Sequence, residues 1–124
     1  MLPCDIALRF LEEAYIGKNY SYVEKHISDD YVCHCSSGTI NKAQAINLLK
    51  RYLKKHPVKK FYSTVDFSDE ETITLNILFE CKEKEKFLGF TVGETDRYYR
   101  HIKTFKVKDG VITESWDETS EIYE

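Results

Sequence analysis

Apolar residues recur at helical spacing through the first half of the chain and at every second position after residue 57. In "DIALRFLEEAYIG", Ala7, Phe10, Leu11 and Ala14 form one helical stripe, Leu8 and Tyr15 border it, and Gly17 stands where a C-cap would. "SYVE" supplies a capping box, Ser21 with Glu24, for a second short helix starting near Asn19 or Ser21. That helix stops by "SDD", and "YVCHC" reads as a strand. The clearest helix is "INKAQAINLLKRYLKKHP". Asn41 and Gln44 form another capping box, Ala45, Ile46, Leu49 and Leu53 repeat at helical spacing, and His56-Pro57 closes the segment.

Then the period becomes two. "FYSTVDF" sets Phe61, Val65 and Phe67 against Tyr62, Thr64 and Asp66, and "DEE" turns the chain. "TITLNILFEC" puts Ile73, Leu75, Ile77, Phe79 and Cys81 on one face. "KEKEK" reads as a charged loop, a long strand runs from Arg97 to Lys108, "DG" marks a hairpin and "VITESWDE" is the last strand. Helices first and strands after predict one α+β domain over residues 1–124. The expected architecture is a cone-shaped, curved antiparallel sheet wrapped around three helices of the N-terminal half, an α+β barrel whose open end forms a pocket.

The chain has 124 residues, 42% hydrophobic and 31% charged, enough for one core. Nine tyrosines and seven phenylalanines exceed what such a core needs, which points to a lined cavity or an interface. Net charge is −3 and the basic residues are dispersed. The densest run, "KRYLKKHPVKK", reads as a solvated helix end, so nucleic acid is not an expected partner. No apolar run approaches the roughly 20 residues of a membrane span. "MLPCDIALRF" reaches Asp5 too early for a signal peptide, so the four cysteines are expected as free thiols in the cytoplasm.

On a strand, "YVCHC" sets Tyr31, Cys33 and Cys35 on one face and His34 on the other. A metal would find at most two thiolates there, with no second ligand pair elsewhere, so no metal is expected. Cys33 and Cys35 read as pocket wall.

Three strings carry a family resemblance. "YIGKNYSYVEKHISDDYVCHCSSG" looks like a helix-glycine-helix, acidic pair and first strand; "FLGFTVGET" is similar to a glycine-bearing loop before a long strand; "FKVKDGVITESWDE" looks like a signature hairpin. Together they resemble the nuclear-transport-factor-2-like superfamily, in its SnoaL-like polyketide cyclase and ketosteroid isomerase branch. The resemblance implies a small apolar or aromatic ketone as ligand, proton transfer without a cofactor, and a homodimer formed through the sheet. It also marks departures. Cys35 falls where the isomerases carry their aspartate base, and Leu11 where they place an oxyanion-binding tyrosine.

SnoaL-like cyclases use a histidine on the long strand and an aspartate near the last one, regions that here contain His101 and Asp117. Strict alternation about an Asp109-Gly110 turn sets Tyr99, His101, Glu114 and Trp116 on one face and Asp117 on the other. Ile102 and Phe105, three apart, hint at a bulge that would reverse His101. The expected site therefore has His101 as general acid or base with Asp117 or Glu114 as partner, in a cavity shaped by Tyr15, Cys33, Cys35, Tyr99 and Trp116. The segment from Glu83 to Glu94 is expected as a lid loop. The alternative is a non-catalytic ligand- or protein-binding module of the same fold.

Overall fold

Local signals in the first third of the chain decide where its helices start and stop. The computed structural model describes residues 2–122. Helix α1 (Pro3–Leu11) opens on a proline, whose missing N–H costs nothing in a first turn. It continues into a single π-helical turn, Glu12–Ile16. That wider turn changes the helical phase, and Tyr15 is buried rather than left at the border of the stripe. Gly17 stays right-handed; Lys18, at φ 49°, takes the left-handed position that ends the segment.

Helix α2 (Tyr20–His26) is capped by Asn19, whose side chain accepts the Tyr22 N–H, instead of by a Ser21–Glu24 box. Ser21 donates its hydroxyl proton to Asn19. Helix α3 (Lys42–Lys55) carries the Asn41–Gln44 capping box, both of its hydrogen bonds at 2.9 Å.

Six strands, β1 (Ile27–Cys35), β2 (Gly38–Asn41), β3 (Val58–Ser68), β4 (Thr72–Phe87), β5 (Phe90–Lys108) and β6 (Val111–Ile122), form one sheet in the order β2-β1-β6-β5-β4-β3. The expected cone of antiparallel strands is not what forms. β1 runs parallel to β6, with Cys33 opposite Ser115, so the sheet is mixed. It is also open, neither closed nor strongly curled, with β2 and β3 as its two edges. Alternation of apolar residues reports which face a side chain occupies, not which strand lies alongside or in which direction, so the parallel pair left no trace in the pattern.

The charged run is strand, not loop. β4 and β5 stay paired out to Phe87 opposite Phe90, closed by a turn in which Leu88 and Gly89 have φ of 50° and 83°. Lys82 and Lys84 stand opposite Asp96 and Glu94, so the alternating charges pair across the ladder. The segment from Glu83 to Glu94 is thus a hairpin arm and not the expected lid loop.

At the next hairpin, Asp109 and Gly110 both take positive φ, as the two-residue turn requires. Beyond it, Val107 pairs with Ile112 but Lys106 with Glu114, so Thr113 is an extra residue on β6. Its hydroxyl donates to the Lys106 carbonyl at 3.3 Å. This bulge moves every later partner by one: His101 lies opposite Thr119, and Lys103 opposite Asp117.

The helices cover one face of the sheet. Against them β4 presents Ile73, Leu75, Ile77, Phe79 and Cys81, all at 0% exposure, packed with Ala7, Leu11 and Ala14. Among the described residues no helix is long and apolar enough to cross a membrane.

Candidate functional site

The covered face is not apolar throughout. On β5 the inward row reads Tyr99, His101, Lys103, Phe105, Val107, and beyond the Thr113 bulge β6 turns Ser115, Asp117 and Thr119 inward beside it. Between these strands, β1, the π-helical turn and α3 lies a cavity of about 390 Å³. That volume falls in the range of small-molecule sites, roughly 300–1,000 Å³. Ser36, Ser37, Ile40 and Leu48 line its exposed side.

One ion pair sits on the wall. Lys103 is only 6% exposed, and its Nζ lies 3.1 Å from Asp117 Oδ2. The Tyr15 ring centre is 5.6 Å from the same Nζ. Burial pulls the ammonium toward losing its proton, but Asp117 and the adjoining Tyr15 hydroxyl reverse this, and the net shift is upward. Lys103 is therefore a fixed cation. The other carboxylate oxygen, Asp117 Oδ1, is buried and has no hydrogen-bond partner among the described residues. Cys33 donates its thiol proton to Asp117 Oδ2 at 3.6 Å. Burial first, then the neighbouring carboxylate, raises the Cys33 pKa, so it stays a thiol. Tyr31 and Ser115 share a hydroxyl–hydroxyl hydrogen bond just beyond.

His101 occupies a drier place. Its Nε2 shares a 3.0 Å hydrogen bond with Tyr52 Oη, and its Nδ1 lies 3.5 Å from Thr119 Oγ1. Phe79 and Tyr15 meet the ring edge-on at 4.7 and 6.5 Å. Burial, then the Lys103 charge and His56, pull the His101 pKa down to about 2, so the imidazole is neutral at ordinary pH. No carboxylate lies within hydrogen-bonding reach of it among the described residues.

Of the residues singled out in the sequence, His101, Asp117, Tyr15, Cys33 and Cys35 meet on the cavity wall. Three do not. The Thr113 bulge turns Glu114 and Trp116 to the outer face, where Glu114 Oε2 is 2.6 Å from His34 Nε2 and the His34 ring stacks on Trp116 at 5.2 Å. Tyr99 is buried but reaches away, donating to Glu83 Oε2 at 2.5 Å, on the carboxylate that also binds His56 at 2.7 Å. Leu11 is core and all four cysteines are free. Sequence reasoning missed Lys103 and Tyr52. The signal for Lys103 was present: a lysine in the inward row between His101 and Phe105 must be buried, and a buried lysine requires a partner. Among the described residues no three histidine, cysteine, aspartate or glutamate side chains cluster as a metal would need.

No protein-family model and no curated protein matches the chain. Solved structures do. IdmH, a candidate polyketide cyclase from Streptomyces antibioticus, matches with a TM-score of 0.76 at 15% identity, over 95% of this chain and 91% of that one. AclR, a candidate hydroxylase from Streptomyces galilaeus, gives 0.73 at 19% identity, over 94% and 86%. A SnoaL-like polyketide cyclase from Agrobacterium tumefaciens gives 0.72 at 13% identity, over 97% and 92%. At such identities the likeness is one of fold: this chain shares the fold of SnoaL-like polyketide cyclases.

Proposed function

We propose that this protein binds a small apolar or aromatic ketone in the cavity and moves a proton on it without a cofactor. The observation that carries this reading is the composition of one wall: a carboxylate and a buried ammonium set into a mainly aromatic and aliphatic pocket. Asp117, with unused acceptor capacity at a buried oxygen, takes the proton from the carbon next to the carbonyl. The electron pair moves onto the carbonyl oxygen, and returning the proton at another position completes an isomerisation or sets up ring closure. His101 acts as a neutral hydrogen-bonding group fixed by Tyr52, not as an imidazolium acid. The polyketide cyclases among the structural matches favour the same substrate class.

The test uses bicyclic ketones such as 1-tetralone. Binding at a hundredfold excess over Kd stabilises the native state by about 2.7 kcal/mol, which a thermal shift resolves. In heavy water, exchange of the protons beside the carbonyl, followed by NMR, should be catalysed by the native protein and lost in Asp117→Asn with the thermal shift retained. Absence of any shift across a panel of such ketones overturns the reading. A non-catalytic binding module is the second reading, supported by the partner of His101 being Tyr52 rather than a carboxylate; it predicts the shift without the exchange.

Two copies would pair through the outer face of the sheet. Tyr62, Phe67 and Trp116 are exposed there, at 51%, 53% and 40%, around the half-buried Leu78 and Ile102. Tyr62→Glu with Phe67→Glu should convert a dimer to a monomer in sedimentation velocity.

A further inference from the structure

A lysine in the inward row of a central strand is costly, and the next two inward positions on β5, Phe105 and Val107, show what the row otherwise contains. Among the described residues Lys103 pairs with Asp117 and adjoins the Tyr15 hydroxyl, whereas an ammonium donates three hydrogen bonds, so one donor remains. Tyr15 comes from the π-helical turn, Cys33 from β1, Asp117 and Ser115 from β6, and the neutral His101 stands two residues before it on β5. The positive charge thus lies on the wall of an apolar cavity with donor capacity to spare, beside aromatic rings suited to a flat ligand.

We propose that Lys103 selects the ligand by binding its ionised oxygen, so that the cavity takes aromatic compounds carrying an acidic hydroxyl, phenols and enols, in preference to their ethers. On binding, the ligand O–H breaks, its proton leaves to water, and the oxygen anion accepts an N–H from Lys103. A ligand carboxylate fits less well, because it would bring a second carboxylate against Asp117 around one ammonium. The inference rests on the ketone-pocket reading and deepens it: the oxygen of an enolising ketone would meet the same cation.

The probe is 4-nitrophenol, whose phenolate absorbs in the visible and which ionises near neutrality. Its controls are 4-nitroanisole and 4-nitrobenzoate. Bound to the native protein, the phenol should ionise at least about one pH unit below its free value, a tenfold preference for the phenolate, and should bind more tightly than either control. Lys103→Met alone risks misfolding, since it strands Asp117, so the deciding variant is Lys103→Met with Asp117→Leu, which keeps the wall apolar. It should lose both the ionisation shift and the preference for the phenol over 4-nitroanisole. Equal affinity for phenol and ether, an unshifted titration, tighter binding of the benzoate, or a shift that survives in the double variant each overturn this inference alone. Binding of none of the three overturns the pocket reading and this inference with it.

Discussion

Two rows of side chains face the same helices from neighbouring strands and do opposite work. On β4 the row from Ile73 to Cys81 is apolar and sealed. On β5 and β6 the row holds His101, Lys103, Ser115 and Asp117, and space opens beside it. The sealed row holds the fold together through burial of apolar surface. The polar row is tolerated because its costliest groups are paired, Lys103 with Asp117 and His101 with Tyr52 of α3. The lesson is that this domain separates its stability from its chemistry by one strand.

That separation can be broken deliberately. Asp117→Leu leaves Lys103 buried without a counter-charge and should cost about 3–5 kcal/mol in denaturant unfolding, while adding Lys103→Met should restore most of it. A double variant as unstable as the single one would mean that the polar row supports the fold in its own right. On the sealed side, Leu75→Ala should cost about 2–5 kcal/mol and leave ligand affinity unchanged once the protein is folded; calorimetry with and without ligand checks both.

Acid should find the polar row. Unfolded, His101 takes a proton near pH 6.5, whereas the folded protein holds it neutral down to about 2. Between those values unfolding binds a proton, so stability falls as pH drops through 6.5. From roughly pH 7.5 to 5.5 the loss from this one group is about 1.4 kcal/mol. His101→Gln should flatten that part of the melting-temperature profile. The smallest expected effect is Tyr52→Phe, which removes one hydrogen bond to His101 and should cost about 1 kcal/mol by chemical denaturation.

What could be read from the sequence divides along similar lines. The Asn41–Gln44 box, the Asp109-Gly110 turn and the β4 row were legible because each is decided by neighbours a few residues apart. The parallel β1–β6 pair was not, since it joins segments some eighty residues apart that share no local signature. The site fell between. His101, Asp117 and the "YVCHC" face were visible as chemistry, but Ile102 and Phe105 pointed to a bulge on β5. The structure has it on β6 at Thr113, and that decides that Asp117 rather than Glu114 faces inward. Tyr15 came inward through a π-helical turn that no capping residue or periodicity announces.

The Thr113 bulge gives β6 one position at which a change of length would spare the lining of the cavity. Deleting that single codon would leave Val107 opposite Ile112 and Lys106 opposite Glu114, so Ser115, Asp117 and Thr119 would keep facing the ligand from a regular ladder. An insertion or deletion elsewhere in a strand would usually be ruinous. Here the ladder on either side is already in register, so a lineage could drop the residue and keep the groups it presents to the ligand.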